Sequence, residues 1–577
     1  MRKLVRILPV VAIMWFLAGP FAQAQDEDFG PPNRQDLLSG GSTLPDTTAT
    51  SPGPSSPSGT MRPPRVGPNV QVNSPQRAFP KGLLGRSETT IAATPDGQNL
   101  LVGFNDAQGF CGPPFGVACT PESPAGLSGF AFSTDSGLTF TDGGAPDPAI
   151  FNNVFTRGDP WMDLGGFDVA TFYYANLSVD ATTGASLGAS VHRGHFSGNS
   201  FAFEDVRTFN SANPNDVYDK EAMAAAKDGS GAAYVTLTNF KQLPGCPAGT
   251  TGLGEITVWH TTDSGNTWLG LEVAGPDLSD AGSCGATGVL QQSSVPATGP
   301  PGQVYVIWSE GPTFTSTGVT TDAKIVVATS LDGGLTFGAP VTVANINSLR
   351  QDPPVGYNRD RFNDHPRIAV ATTGSNRGRV YVTFASALAP VTPGSVSLCP
   401  APVTGLCRSQ NLTSIQIFIS HSDDQGQTWS TPVAVAPSEP DTGVKRVWPV
   451  VTVEPGGNVD VVYYESQEVP TSSNPFCTVR VATLSGGVPL RRRGTANSLV
   501  DTFWAQSLDG GATFQTLLSV TTATSNWCTA VSNVTPNFGD YIGSASGGNH
   551  IFPVWADGRN GVPDTFYATI QSAGKSH

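Results

Sequence analysis

The sequence predicts an all-β repeat fold, and three observations carry that prediction. The pattern S/T-x-D-x-G-x-T-F/W occurs five times, at residues 133–140, 261–268, 330–337, 422–429 and 507–514. Alternating apolar and β-branched segments flank its copies, as at residues 415–418, and indicate strands on either side of a turn. The chain also holds 66 glycines and 48 prolines but only 13% charged residues. Self-similarity at this scale indicates a repeat architecture built from short strands.

Each position of the motif has a mechanical role in a hairpin turn. The aspartate accepts hydrogen bonds from backbone N–H groups of its own turn. The glycine two residues later admits a backbone angle that a Cβ would penalise, and the final aromatic residue packs back between sheets. We therefore predict structural roles, in place of catalytic or metal-binding ones, for Asp135, Asp263, Asp332, Asp424 and Asp509.

This motif resembles the Asp-box, or BNR repeat, of the sialidase-like β-propellers, and the resemblance extends from about Val70 to the end of the chain. It implies a β-propeller in which the Asp-box hairpins lie opposite a ligand-binding funnel. A second signal, an innermost strand followed by an aromatic-rich strand, occurs seven times, so we predict seven blades, with six as the alternative. Because the seventh repeat ends after three strands, we expect residues 70–72 to supply its fourth strand and close the ring.

The N-terminal part of the chain reads as two segments that precede the propeller. Arg2, Lys3 and Arg6 come before an apolar run at residues 7–18 and the small residues 22–24, which is the layout of a signal peptide spanning residues 1–24. Residues 25–68 are rich in Pro, Ser, Gly and Thr and are predicted to be a disordered tether. The propeller is then residues 69–577. We expect a secreted or periplasmic monomer, since no later apolar run is long enough to span a bilayer.

The charge of the chain limits its partners. The formal net charge is −15, and it becomes more negative when the basic leader is removed. Such a surface argues against nucleic acid and against acidic membrane surfaces. No cofactor is predicted. Calcium stays open as a ligand, although the sequence has no Asp-x-Asp-x-Asp-Gly loop to argue for it.

Eight cysteines fit an oxidising compartment. Their spacing suggests four pairs that each close within one repeat: Cys111 with Cys119, Cys246 with Cys284, Cys399 with Cys407, and Cys477 with Cys528. Free buried thiols or a metal site are the alternative, but no C-x-x-C motif or histidine cluster accompanies these cysteines.

Residues just before the innermost strands of a propeller converge near its axis on the funnel face. In this sequence those residues are polar and of both charge signs, which predicts a ligand-binding funnel. The alternative is a structural ring of ion pairs. The predicted substrate-binding residues are Arg157, Lys220, Asp364, His365, Arg367 and Arg446.

The resemblance to sialidases implies a specific chemistry at this funnel. Arginines clamp the substrate carboxylate, and an acid works beside a tyrosine nucleophile that a glutamate activates. The candidates are Asp159 or Asp219 as acid and base, Glu221 as activator and Tyr541 as nucleophile. The first clamp arginine of the family lies in a Phe/Tyr-Arg-Ile-Pro motif, but residues 89–92 read Thr-Thr-Ile-Ala at the matching place.

Two functions are consistent with these residues. The first is a secreted propeller that recognises an anionic glycan at its funnel, and that hydrolyses it as an exo-sialidase if it is an enzyme. The second is a non-catalytic scaffold that binds an extracellular protein. The missing arginine motif favours binding over hydrolysis.

Overall fold

The computed structural model describes most of the chain after residue 60. The described residues are 61–77, 82–111, 119, 125–210, 213–247, 251–272, 278–279, 287–315, 318–320, 322–350, 354, 356–357, 362–390, 396–398, 406–408, 414–437, 444–469, 497–572 and 574–575. The predicted signal peptide and all but the last eight residues of the predicted tether lie outside them.

The first half of the chain forms four antiparallel sheets in sequence order. Three short strands precede them: β1 (Met61–Arg62), β2 (Arg65–Val66) and β3 (Val70–Gln71). The first sheet holds β4 (Arg86–Ala93), β5 (Leu100–Asp106), β6 (Ser128–Ser133) and β7 (Thr141–Gly144), with a 3-10 helix at Ala107–Gly109. The second holds β8 (Val154–Thr156), β9 (Trp161–Gly165), β10 (Thr171–Asp180), β11 (Ser186–Ser197) and β12 (Ser200–Phe209). The third holds β13 (Val217–Ala225), β14 (Ala233–Phe240), β15 (Glu255–Thr261) and β16 (Leu269–Glu272). The fourth holds β17 (Leu278–Ser279), β18 (Gly288–Thr298), β19 (Val304–Thr315), β20 (Gly318–Val319), β21 (Asp322–Ser330) and β22 (Val341–Asn347).

The second half forms one large sheet and a final sheet. The large sheet holds β23 (Arg367–Val370), β24 (Val380–Ala387), β27 (Ile415–Ser422), β28 (Val433–Ala434), β29 (Val444–Val453), β30 (Val459–Val469), β31 (Asn497–Ser507), β32 (Thr516–Ser519) and β33 (Ser525–Asn526). β25 (Val396–Leu398) and β26 (Leu406–Arg408) form a separate hairpin. The final sheet holds β34 (Gly543–Gly547), β35 (His550–Asp557), β36 (Asp564–Tyr567) and β37 (Ile570–Gln571), and β38 (Gly574–Lys575) follows. In the large sheet, one parallel pair, Ile415 opposite Lys445, joins two antiparallel parts.

The sheets are arranged around an axis as in a β-propeller. Strand β4 packs against β9, β9 against β13, β13 against β18, β18 against β23, β23 against β29 and β29 against β34, and β34 packs back against β4. The apolar core lies between adjacent sheets. One cluster, for example, joins Val102 and Phe104 of the first sheet to Val554 and Tyr567 of the final sheet. The predicted all-β class and propeller arrangement are confirmed.

The N-terminal strands pair with the C-terminal part of the chain. Val70 lies opposite Tyr567 in the antiparallel pair of β3 with β36, and β2 and β1 pair with β37 and β38. Just after β3, Asn73 Nδ2 donates to Asp564 Oδ1 at 2.9 Å. Strands β1 and β2 fall within residues 61–68, which the sequence places in the tether.

The repeated motif forms the same hydrogen-bonded turn in each of its five copies. In the first copy, the Ser133 hydroxyl donates to Asp135 Oδ1 at 2.7 Å, and the Thr139 amide and hydroxyl donate to the same carboxylate at 2.9 and 2.6 Å. In the third copy, hydrogen bonds from the Thr336 hydroxyl and amide lower the pKa of Asp332 to about 2. These carboxylates are therefore occupied within their own turns.

The glycine of this turn is tested by Gly137→Ala, which we expect to lower the unfolding free energy by about 1–3 kcal/mol. Gly137 has a φ of 82°, and an added Cβ would lie 2.3 Å from the Tyr567 ring of the final sheet. Gly184→Ala is the matched control, since its φ is 70° with nothing within 4 Å of the added Cβ. Urea unfolding measures both, and equal losses would show that the contact with Tyr567 is unimportant.

Four of the eight cysteines are seen in disulfides. Cys111 and Cys119 form the predicted pair. Cys246 and Cys528 are also in disulfides, Cys407 lies in β26, and Cys284, Cys399 and Cys477 lie outside the described residues. The Cys111–Cys119 bond is of the kind that persists in an oxidising compartment.

Candidate functional site

A β-bulge near the start of the innermost strands directs polar side chains inward. The pairing register shifts between Ser87 and Thr90 in β4 and between Asp219 and Ala222 in β13. Within these shifts Glu88 and Lys220 have φ values of 52° and 55°, and Asp159, just before β9, has 54°. Such angles are uncommon for residues other than glycine, and bulges of this kind re-aim side chains. The equivalent positions of different sheets therefore meet at the axis.

Lys220 lies at the centre of a buried ion-pair group that we call the hub cluster, made of Lys220, Glu88, Asp159 and Asp540. Its Nζ atom lies 3.0 Å from Glu88 Oε1, 2.7 Å from Asp159 Oδ2 and 2.9 Å from Asp540 Oδ2. The exposed fraction of the side chain is 4% for Lys220, 0% for Glu88, 14% for Asp159 and 0% for Asp540. Burial lowers the pKa of Lys220, but attraction to the carboxylates outweighs it, and the pKa lies well above its usual value. Lys220 is thus held as a cation.

Glu88 and Asp159 share a hydrogen bond within the hub cluster. Burial, together with the charge of Asp159, raises the pKa of Glu88 well above its usual value. Burial acts to raise the pKa of Asp159. The charge of Lys220 and the hydrogen bond to Glu88 together outweigh burial, so the pKa of Asp159 is lowered. Asn105 Nδ2 donates to the other Glu88 oxygen at 2.6 Å. Glu88 therefore holds the proton and Asp159 the negative charge.

Asp540 is fixed in the hub cluster by two further donors. The Tyr357 hydroxyl donates to its Oδ1 at 2.6 Å, and Asn363 Nδ2 donates to its Oδ2 at 2.9 Å. Both donors come from the segment before β23, so this carboxylate links the strand starts of β34 and β23, between which β29 lies. These hydrogen bonds favour its ionised form.

Arg367 is a buried cation beside the hub cluster. Its guanidinium carbon lies 4.1 Å from the centre of the Trp161 ring, and Nη2 donates to the Ile542 carbonyl at 3.0 Å. Burial lowers the pKa of Arg367 to about 9, and Tyr541 opposes that shift. Nη1 is buried with no hydrogen-bond partner in the structure, and no carboxylate lies within ion-pair distance among the described residues. An unpaired buried charge is costly.

Aromatic side chains enclose this guanidinium. His365 stacks on Trp161 with ring centres 6.0 Å apart, and Tyr541 lies 5.2 Å from Trp161. Burial, with the charges of Arg367 and Lys220, lowers the pKa of His365 to about 3. The imidazole is therefore neutral, and its Nδ1 has no hydrogen-bond partner in the structure. We call Arg367, Trp161, His365 and Tyr541 the Arg367 site.

Tyr541 is not in an environment that activates its phenol. Its hydroxyl donates to the Pro160 carbonyl at 2.8 Å. Burial, with the charges of Glu88, Asp159 and Glu221, raises its pKa well above the usual value. Glu221 carries no hydrogen bond to the phenol, because both of its carboxylate oxygens lack a partner in the structure. The tyrosine therefore stays protonated at neutral pH.

The other predicted site residues contact separate partners. Asp219 accepts a hydrogen bond from Gln292 Nε2 at 2.6 Å. Arg446 Nε donates to Glu465 Oε2 at 2.8 Å. Asp364 accepts hydrogen bonds from the Ser348 hydroxyl and the Leu349 amide, and burial raises its pKa to about 6. Arg157 is half-buried, and burial lowers its pKa. The structure thus groups Asp159, Lys220, His365, Arg367 and Tyr541, with Glu221 close enough to affect the Tyr541 pKa.

The residues that sequence reasoning missed are Glu88, Asp540 and Trp161. Glu88, Asp159 and Lys220 occupy equivalent positions with positive φ near the start of their innermost strands, and Asp540 follows Gly539, which has a φ of 80°. Aligning the strand starts with one another, as well as with a known family, brings these polar residues to within one position of each other. Trp161 is not a charged residue, so an alignment of polar strand starts does not indicate it.

Glu221 provides a pH-dependent prediction. It is 1% exposed, and burial, together with the charge of Asp159, raises its pKa well above the usual value. Above the ordinary pKa of a glutamate, the unfolded chain has released this proton while the folded state still binds it. The unfolding free energy therefore falls as pH rises towards the folded-state pKa of Glu221. We expect Glu221→Gln to flatten the fall in unfolding free energy between about pH 5 and pH 8.

Chemical denaturation at several pH values measures this effect. Glu204→Gln is the control, because that carboxylate is 59% exposed. Parallel profiles for the wild type and Glu221→Gln would contradict the prediction.

Neither a metal-ion site nor a membrane-spanning helix is present in the part of the chain that the structure describes. No group of three or more His, Cys, Asp or Glu residues in that part of the chain is arranged to hold a metal ion. Within the same residues, no helix has the length and apolar character needed to cross a membrane.

Comparison with known proteins gives matches among solved structures. No protein-family model matches the chain, and no curated protein matches it. A Penicillium chrysogenum α-L-arabinanase bound to arabinobiose is 13% identical with a TM-score of 0.39, covering 69% of this chain and 94% of that one. A Dyadobacter fermentans protein of unknown function is 12% identical with a TM-score of 0.39, covering 88% and 99%. A Trypanosoma rangeli sialidase bound to the inhibitor DANA is 13% identical with a TM-score of 0.37, covering 70% and 58%. Identities this low do not transfer a ligand or an activity.

Proposed function

We propose that this chain is a secreted, sialidase-like Asp-box propeller that recognises the carboxylate of an anionic glycan at the Arg367 site. The propeller has seven blades and is closed by its N-terminal strand. Secretion accounts for the leader-like N-terminus of the sequence, and the Cys111–Cys119 disulfide supports an oxidising compartment.

The contacts between sheets support the blade number and the closure. Seven innermost strands, β4, β9, β13, β18, β23, β29 and β34, follow one another around the axis. The large sheet counts as two blades, because a single parallel pair joins its antiparallel parts. The pairing of β3 with β36 supports closure by the N-terminal strand, which leaves the final sheet without an open edge at that side.

The observation that carries the proposed function is the unpaired charge of Arg367. Buried guanidinium groups are ordinarily matched by a carboxylate or another anion, because the loss of hydration is otherwise uncompensated. Arg446, by contrast, is matched by Glu465 at 2.8 Å. Trp161 and the Ile542 carbonyl orient the Arg367 guanidinium and leave Nη1, which is buried, without a hydrogen-bond partner. A carboxylate suits that group because it accepts two parallel N–H donors.

The ligand group that enters is small. The four side chains of the Arg367 site are between 2% and 8% exposed. We therefore assign only the carboxylate of a sugar acid to the contact with Nη1, and the sugar ring remains nearer the surface. The neutral His365 adds no charge of either sign, and Lys220 is already matched by its carboxylates.

Recognition without hydrolysis accounts for the remaining residues. Tyr541 keeps its proton and donates it to a backbone carbonyl, so it lacks the activation that a nucleophile needs. Asp159 is paired with Lys220, and Glu221 is buried and protonated. The propeller is therefore assigned as a binding protein.

A glycan array tests this function directly. The purified protein is applied to glycans that end in sialic acid or a uronic acid, and to the same glycans with the carboxyl group converted to a methyl ester. We expect binding to the free acids and its loss on esterification. Equal binding to both forms would contradict recognition by Arg367, and silence on every glycan would favour the protein-binding scaffold.

A further inference from the structure

We infer that Lys220 and Asp159 become joined by an isopeptide bond that the protein forms in its own interior. The amine and the carboxyl carbon of these two side chains are held together in the hub cluster, with Glu88 beside them to move protons. The modification is independent of the glycan-binding function.

The two reacting groups are held in contact by the backbone. Lys220 Nζ donates to Asp159 Oδ2 at 2.7 Å, across 61 residues of sequence. Both residues have positive φ values at equivalent places before or within an innermost strand, so their directions are fixed by the fold and not by side-chain freedom. Pre-positioned groups of this kind react with effective concentrations far above those in solution.

The site also limits the access of water. The Lys220 side chain is 4% exposed, that of Glu88 is not exposed, and that of Asp159 is 14% exposed. The aromatic ring of Tyr541 lies 5.9 Å from Lys220 Nζ. Condensation requires the neutral amine and carboxylic acid, so the Lys220 ammonium that the hub cluster stabilises must first pass a proton to a carboxylate. The scarcity of water favours the amide over its hydrolysis.

The condensation balances without any co-reactant. The Lys220 ammonium transfers one proton to the Asp159 carboxylate, which leaves a neutral amine and a neutral acid. The Nζ lone pair attacks Cγ of Asp159 and forms a tetrahedral intermediate. The C–O bond to the protonated oxygen then breaks, and this oxygen leaves as water after it takes a second proton from Nζ. An amide, the water molecule and the unchanged Glu88 remain.

Glu88 is the proton carrier for these steps. Its carboxyl group hydrogen-bonds to Asp159 and approaches Lys220 Nζ at 3.0 Å through Oε1. It therefore reaches both the atom that gains protons and the atom that loses them. Asn105 holds its second oxygen at 2.6 Å and prevents the group from rotating away.

Asp159 is assigned as the acceptor in preference to Asp540. Asp540 also lies near Lys220, at 2.9 Å, but Tyr357 and Asn363 hold its two oxygens by hydrogen bonds that favour the carboxylate. Asp540 remains as the anion that keeps the lysine in place. The new bond joins the second sheet to the third at the axis and, unlike a disulfide, survives reduction.

Mass spectrometry of the full secreted chain tests this proposal. After reduction and denaturation, we expect the intact protein to be lighter than its sequence by the mass of one water molecule. Trypsin is expected to leave the bond after Lys220 uncut and to release a branched peptide that contains Asp159. A full sequence mass with normal cleavage at Lys220 would overturn the proposal, and a branch at Asp540 would overturn the choice of acceptor.

Two variants separate the cross-link from folding. Glu88→Gln keeps a hydrogen-bonding side chain and both reacting groups, and we expect it to abolish or strongly slow the loss of water in folded protein. Asp540→Asn keeps Lys220, Asp159 and Glu88, and is expected to retain the branched peptide. Water loss in Glu88→Gln at the wild-type rate would overturn the assigned role of Glu88. Because the wild-type mass alone decides whether the bond exists, a variant that fails to fold does not remove the test.

Discussion

Lys220→Met is expected to lower the unfolding free energy by about 3–5 kcal/mol, the range found when one partner of a buried ion pair is removed. The substitution keeps most of the side-chain volume but removes the nitrogen that pairs with Glu88, Asp159 and Asp540 as a cation and that would form the proposed isopeptide bond. Two ionised carboxylates would then repel each other in a site to which water has little access. Urea or thermal unfolding at neutral pH measures the loss.

Acidification distinguishes this charge effect from a packing effect. Without Lys220, the folded-state pKa values of Asp159 and Asp540 are expected to rise above those of the unfolded chain. The missing stability should therefore return as pH falls through these raised values, because the folded state then binds more protons than the unfolded state. A deficit of equal size at pH 5 and pH 8 would mean that lost packing, not uncompensated charge, causes it.

Lys220→Arg is the companion variant. It retains the positive charge but cannot form the proposed isopeptide bond. We expect it to recover part of the stability that Lys220→Met loses while its intact mass equals that of its sequence. The two variants together separate the contribution of charge from that of the covalent bond.

The hairpin turns were predictable because their chemistry is local. The serine or threonine, the aspartate, the glycine and the second threonine of each motif copy lie within seven residues, and their hydrogen bonds stay inside that window. The recurrence of this window along the chain then indicates successive similar sheets. The pairing of β3 with β36 was also expected, because an incomplete last repeat needs a strand from elsewhere.

The chemistry at the axis was only partly predictable because it depends on contacts between distant repeats. The sequence shows that residues of both charge signs precede the innermost strands, and it leaves a functional funnel and an ion-pair ring as alternatives. Which cation meets which anion depends on the bulges at Glu88 and Lys220, and no glycine marks those bulges. Arg446 and Arg367 look alike in sequence, yet only Arg446 has a glutamate opposite it on the next strand.

Arg367→Met is expected to weaken carboxylate recognition while it stabilises the fold. A charge-assisted hydrogen bond contributes about 1.5–3 kcal/mol, so affinity for an acidic glycan should fall by about 10- to 100-fold. Removing a buried, unmatched charge should raise the unfolding free energy by about 1–3 kcal/mol, even after the loss of the bond to the Ile542 carbonyl. Binding is measured with the acidic glycans that the array identifies, and stability by urea unfolding.

Arg86→Met is the matched control for stability. Arg86 is buried like Arg367, but its Nη2 lies 3.1 Å from Asp106 Oδ2. Burial raises the pKa of Asp106, and the charge of Arg86 opposes that rise. Its removal leaves Asp106 unmatched, so Arg86→Met is expected to destabilise the protein where Arg367→Met stabilises it. If the two substitutions change the unfolding free energy in opposite directions, Arg367 is retained at the expense of stability. That pattern is expected of a ligand-binding residue. Destabilisation by both substitutions would mean that Arg367 is matched inside the folded protein and has no need of an anionic ligand.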